Sequence, residues 1–313
     1  MSTPSLHDDP LWPRTGAWPS RGSQPGGNVA DLAIVGVPTW RTSLSPTGAQ
    51  HTPDAIRAAL RRYSGHSVSL DGLTDTVLEE VLTLVDDGNI ADPDTPEGEA
   101  AAIRTLRELA STTELLISLG GDNAATVPAA LGGFGDNLAT AGLITIDAHH
   151  DLRDGVSNGS PVRRLIQAGL DGTRVVQIGI ADFANSRQYR ERARDLGITV
   201  IHRDALHDRT PQDIAAEALA IAGAAGGPVH VDVDVDVCDR SVAPACPASV
   251  PGGLQAHELR RLTRALARDA RVRSLDLTEI DATADTADGR TIRLAALLIL
   301  EAATGLAQRK AAQ

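Results

Sequence analysis

Aromatic side chains are scarce, with two Phe, two Tyr and three Trp among 313 residues. That is too few for the stacking platforms on which single-stranded nucleic-acid binders hold successive bases, so the core has to be built from Ala, Val, Leu and Ile. Cysteine is equally rare. Cys238 and Cys246 can form at most one bridge, which excludes a disulfide scaffold and fits a reducing cytosol, so a cytoplasmic location is expected. Positive charge is in deficit: 29 Lys plus Arg face 41 Asp plus Glu, a formal charge of −12. Such a chain disfavours phosphate backbones and anionic membranes and favours cations as local partners. No apolar run approaches the roughly 18 to 20 residues that span a bilayer; the longest near the C-terminus is Leu294 to Leu300. The start, with His7, Asp8, Asp9 and several prolines, has no apolar segment of the signal-peptide type.

What is present is ordinary globular material, 42% hydrophobic and 22% charged, which excludes a fully disordered or fibrous chain. Residues 1–29 are rich in Pro, Gly and Ser and read as an irregular arm; residues 30–313 read as one domain. Short apolar runs then alternate with helical stretches, the pattern of a parallel sheet with crossover helices. Strands are predicted over Leu32 to Val37, Glu114 to Leu119, Ala141 to Asp147, Arg174 to Ile180, Thr199 to His202, Val229 to Val237 and Val272 to Asp276. Helices are predicted over Pro53 to Tyr63, with Thr52 as N-cap, and over Glu97 to Thr112, Asn185 to Leu196, Thr210 to Ala224, Ala256 to Asp269 and Thr291 to Ala307. Ligands of an open parallel sheet gather beyond the carboxyl ends of its strands.

Polar clusters stand at those ends. Asp147-Ala148-His149-His150-Asp151 follows an apolar strand, and its oxygens and imidazole suit a hard or borderline divalent ion; the same residues also suit a solvated turn. In the run from His230 to Asp239, a period of two sends the valines to one face and His230, Asp232, Asp234 and Asp236 to the other. On a buried strand such a row needs cations to neutralise it, whereas on an exposed edge strand the acids would be gatekeepers. Two clusters on separate strands could hold two ions that make hydroxide available near neutral pH. No Ser-His-Asp or reactive-Cys arrangement competes with that reading. Gly120-Gly121-Asp122-Asn123 is either an ordinary turn or a place of close backbone approach, with Asn123 offering a carbonyl oxygen to a metal. Glu279, at the end of another apolar run, is either a surface acid or a bidentate acceptor for an amidinium or guanidinium.

Taken in order, these motifs resemble the arginase, agmatinase and formimidoylglutamase family of binuclear manganese hydrolases, from about Asp31 to the C-terminus. Val35-Gly36-Val37-Pro38, Asp234-Val235-Asp236 and Pro251-Gly252-Gly253 add to the set. The resemblance implies a three-layer α/β/α fold around a parallel eight-stranded sheet, two Mn2+ ions, a small-molecule substrate and a homo-oligomer, trimeric or hexameric. Carried onto this chain, Asp147 and Asp234 resemble the bridging carboxylates, His149 and Asp236 ligands of one ion, and Asp151 a ligand of the other. Glu279 resembles the acid that orients the amidine-type group. The family usually has His where Asn123 stands, which implies a more weakly held ion. Asn158 occupies the place of a His proton shuttle, and Asp232 that of a serine.

Within the family, Gly-Gly-Asp-Asn, Asp-Ala-His-His-Asp, Asn-Gly-Ser-Pro, the Phe183 to Ser186 segment and Ala245-Cys246-Pro247-Ala248 are most similar to the formimidoylglutamase branch. The implied reaction is hydrolysis of N-formimidoyl-L-glutamate to L-glutamate and formamide, in histidine breakdown, with Asp151 or a water protonating the leaving amine. Asp151, Asn158 and Glu279 are then the catalytic candidates, and Asn158, Arg163 and Glu279 the substrate-binding ones. Arg163 leads Arg153 and Arg164 as partner of a substrate carboxylate. An agmatinase or guanidino-acid hydrolase that releases urea, and a metal-poor relative that binds without turnover, are the alternatives. Cys246 reads as a packing residue or as a pocket wall.

Overall fold

The computed structural model describes residues 9–23, 27–69 and 72–312. In chain order the elements are β1 (Ala30–Val37), α1 (Thr52–Leu60), β2 (His66–Val68), β3 (Asp75–Val77), α2 (Leu78–Val81), β4 (Leu84–Asn89), α3 (Pro96–Ser111) and β5 (Thr113–Gly120). Then follow α4 (Thr126–Phe134), β6 (Gly142–Ile146), α5 (Pro161–Ala168), β7 (Val175–Ile180), α6 (Arg187–Asp195) and β8 (Thr199–His202). The chain continues through α7 (Pro211–Ala222), β9 (Val229–Asp234), α8 (Ala256–Ala267), β10 (Val272–Thr278) and α9 (Arg290–Ala311). Eight strands pair in parallel in the order β4-β1-β5-β10-β9-β6-β7-β8, with β2 and β3 forming a separate antiparallel hairpin.

A parallel sheet needs cover on both faces, and the helices divide accordingly. Leu32, Ile117, Ile144, Val231 and Leu275 point to the face packed by α1, α7, α8 and α9. On the opposite face α3, α4, α5 and α6 close over Ala33, Leu116, Leu143 and Val175. β9 lies between β10 and β6, so its acids are not on an edge. Its valines look toward the face covered by α1, α7, α8 and α9, while His230 looks toward α4 and meets the Phe134 ring edge-on at 6.2 Å.

Several expectations need correction. The eighth strand, β4, has the sequence Leu-Val-Asp-Asp-Gly-Asn; it is a half-solvated edge strand and so carries no apolar run. Thr52 does not cap α1 from outside but is its first residue, and its hydroxyl donates to Ile280 O at 2.6 Å. α4 contains Pro128, Gly132 and Gly133 yet is helical because it is buried almost throughout. β9 ends at Asp234, and residues 235–237 coil into a 3-10 turn closed by Asp236 N donating to Asp234 Oδ1 at 2.9 Å. Asp236 therefore leaves the strand's alternation. α9 is long and apolar enough to cross a membrane, but 78% of its most apolar stretch is buried inside the protein.

The described part of the N-terminal arm carries no helix or strand and is laid on the body. Thr15 N donates to Tyr63 O, Asp86 N donates to Pro19 O, and Arg21 pairs with Asp87 at 2.8 Å.

Candidate active site

Beyond the carboxyl ends of β6, β9 and β10 lies a cleft of ≈ 460 Å³ whose wall includes His149, Asp151, Asn158, Asp234, Asp236 and Glu279. The Gly120-Gly121 pair leads β5 into it. A Cβ on Gly121 would stand 2.1 Å from Thr39 O, so close approach, and not a positive φ, dictates glycine there. The following turn is tied down by Thr39 Oγ1 donating to Asp122 O at 2.8 Å.

The loop after β6 brings Asp147, His149 and Asp151 to the site. His149 N donates to Asp147 Oδ1 at 2.6 Å, while its Nδ1 lies 2.9 Å from Asp236 Oδ2 and 3.5 Å from Asp147 Oδ1. Ala148 N donates to Asp236 Oδ1 at 3.2 Å, which locks this loop to the turn after β9. Ligand atoms of Asp147, His149 and Asp236 lie within 4.8 Å of one another, and so do those of Asp147, Asp151 and Asp234. Asp147 belongs to both groups. Its Oδ2 is buried and has no hydrogen-bond partner among the described residues.

So many buried acids oppose one another's ionisation. Burial, with Asp236 adding, pushes Asp147 up to about 6. Burial first, then neighbouring carboxylates, raise Asp151 and Asp234 well above the carboxylate range. Burial would lower His149, but Asp236 and Asp147 more than offset it and hold the imidazole at about 12. Asp236 is itself lowered, because His149 outweighs its burial. Glu279 is pushed up to about 8 by burial and by Asp122, against the hydrogen bonds from Asn123 N and Asn158.

Asn123 sits beside Asp151 but does not present its oxygen to the acids. Its Nδ2 donates to Asp151 Oδ2 at 2.5 Å, and its Oδ1 accepts from Thr126 Oγ1 at 2.5 Å and Thr278 Oγ1 at 3.1 Å. Asn158 Nδ2 donates to Glu279 Oε1 at 2.6 Å, and its Oδ1 accepts from Leu44 N at 3.0 Å. Asp151 and Glu279 both have positive φ, 53° and 59°, a backbone region that costs non-glycine residues on the order of 1 kcal/mol or more and collects at functional sites.

Arg163 is not brought into the cleft. Its guanidinium donates to Arg153 O and Gly155 O, while Arg164 is paired with Glu99 at 2.6 Å. Among the described residues, the arginine that lines the cleft is Arg153. Asp232 also stands apart from the cluster: it faces Asp276 on β10 and accepts from Thr278 Oγ1 at 3.3 Å. Cys246 is fully buried, and its thiol is pushed far up by that burial. Sequence reasoning missed the clamp behind Asp147–Asp151. His150 Nδ1 lies 2.7 Å from Gln177 Oε1, Gln177 Nε2 donates to His150 O at 2.9 Å, and Asn185 Oδ1 accepts from His150 N at 3.0 Å. The one available signal was a lone Gln in the otherwise apolar β7.

Sheet order, helix layers and an acidic cleft at the strand ends define an α/β protein with two buried donor groups that could hold metal ions. The chain belongs to the arginase family, whose profile matches residues 30–305. It is 34% identical over 282 residues to a formimidoylglutamase of Halalkalibacterium halodurans, covering 88% of this chain and 87% of that one. It is 31% identical over 288 residues to the formimidoylglutamase of Bacillus subtilis, with 90% and 89% covered. The crystal structure of a B. subtilis formimidoylglutamase superposes with a TM-score of 0.86 over 98% of this chain and 96% of that one, at 29% identity. A guanidinopropionase of Pseudomonas aeruginosa is 32% identical over 266 residues, with 80% and 77% covered.

Proposed function

We propose that the chain hydrolyses N-formimidoyl-L-glutamate to L-glutamate and formamide with the help of two divalent cations, Mn2+ by the hardness of the donors. The observation that carries the reading is Asp147, shared by two ligand groups with one oxygen left unpartnered, beside a buried acid, Glu279. The donor set fits cations, since buried carboxylates this dense are otherwise uncompensated. Asp147, His149 and Asp236 would hold one ion; Asp147, Asp151 and Asp234 the other. Asn123 would contribute only after turning its amide, which leaves the second ion more weakly held. When bound, the ions acidify a water and polarise the amidine carbon.

The rest falls to side chains. Glu279 accepts the paired N–H groups of the amidinium, in an orientation fixed by Asn158 Nδ2 and Asn123 N. Arg153, at the cleft wall, takes a substrate carboxylate. As water oxygen bonds to the formimidoyl carbon, Asp151 accepts the released proton and passes it to the glutamate nitrogen while the C–N bond breaks. Asn158 has no proton to relay, so it orients and does not shuttle. By resemblance we also propose a trimeric or hexameric assembly.

A second reading, a guanidino-acid hydrolase, is favoured by the guanidinopropionase relative and by the same Arg153. Manganese-loaded protein is incubated in turn with formimidoylglutamate, agmatine, 3-guanidinopropionate and arginine, and formamide and urea are quantified. Formamide from the first supports the proposal. Urea from another with no formamide overturns it.

A further inference from the structure

We propose that a second cleft, on the outer side of α8, binds a small organic polyanion carrying carboxylate or phosphate groups. Its volume is ≈ 700 Å³, and it shares no lining residue with the site at the strand ends. One wall is a stripe of α8: His257, Arg261, Arg264 and the following Arg268 recur every three or four residues, with Arg260 beside them. Leu259, Leu262 and Leu266 occupy the core side of the same helix. The opposite wall is the β2–β3 hairpin. Ser67, Ser69, Thr74 and Thr76 turn their face into the cleft, while Asp75 pairs with His66 on the exposed side.

Among the described residues Glu301 is the one acid in the lining, and its two oxygens are taken by Arg260 at 2.7 Å and Arg264 at 2.5 Å. Four guanidinium groups against one carboxylate leave an excess of positive charge in a chain whose net charge is −12. Of the neighbouring described acids, Asp269 pairs with Arg271 at 2.7 Å, and Glu258 accepts from Gln255 N at the start of α8. The Arg261 guanidinium has a single 3.3 Å bond, to Gln212, and the Arg268 guanidinium makes no hydrogen bond or ion pair among the described residues. Two guanidinium forks facing a row of hydroxyls match the planar oxygens of carboxylates and the rim oxygens of phosphates.

The test is calorimetric titration of the manganese-loaded full chain with glutarate and with adenosine 5′-monophosphate, at low and high NaCl. Expected is saturable binding of at least one, weakened about tenfold or more in Arg261→Ala/Arg268→Ala and by salt, and retained in Arg153→Ala. Glutarate alone would assign a carboxylate ligand, and the nucleotide alone a phosphate ester. The proposal falls if neither saturates, or if binding survives the double variant and is lost in Arg153→Ala. It also falls if Arg261→Glu/Arg268→Glu changes the sedimenting mass, because the cleft would then be an interface between copies.

Discussion

Removing divalent ions exposes the cost of crowding acids at the strand ends, and the cost has a sign that pH can read. Glu279 moves from an ordinary 4.5 in the unfolded chain to about 8 in the folded one. The folded state therefore keeps a proton that the unfolded state releases, and stability is lost as pH rises from the lower value through the higher. Asp147, raised to about 6, and His149, raised to about 12, act in the same direction. From about pH 5.5 to about 8.5 the Glu279 share alone is about 3 kcal/mol. With an unfolding entropy near 0.7 kcal/mol/K for a chain this long, that lowers the melting temperature by about 5 °C. The assay is thermal unfolding of chelator-stripped protein across that window, with and without Mn2+. Because cations take the deprotonated ligands, the rise in melting temperature on adding Mn2+ should grow with pH. A stripped protein whose melting temperature stays flat or climbs toward alkaline pH would refute the reasoning.

Three other outcomes follow from named contacts. Glu279→Gln should keep the fold and the bound metal but lower kcat/KM by about 100-fold or more, and should flatten the pH slope of the stripped protein; unchanged turnover would remove Glu279 from amidine recognition. Asp147→Asn should cut manganese content, measured by elemental analysis, at both positions together, because the residue is common to both donor groups. Gly179→Ala should destabilise the chain by about 2 kcal/mol or more in denaturant titrations: φ is +98° there, and a Cβ would meet Val237 Cγ2 at 2.5 Å.

The chain's legibility varied with how local each determinant is. Apolar runs such as Leu32 to Val37 announced their strands because burial on both faces leaves no polar position to blur them. β4 was hidden by its solvated Asp-Asp-Gly stretch, and α4 by a Pro and two Gly that only packing against α3 and β10 makes tolerable in a helix. At the site, Asp147, His149 and Asp151 come from one loop and were readable together. Asp236 joined them for a reason that strand alternation does not contain: the 3-10 turn after Asp234. Proximity in sequence singled out Arg163, but it cannot say that the guanidinium is already held by the carbonyls of Arg153 and Gly155, outside the cleft lining.

The left-handed backbone at Asp151 and Glu279 bears on how this chain can be engineered. At both positions glycine would relax the main chain, and each acid replaced would also relieve repulsion in a cation-free site. A selection scored only by survival on heating would therefore drift toward glycine at the two residues on which the proposed chemistry rests, and on that proposal would harvest robust, inert proteins. Libraries built for durability should hold these two codons fixed.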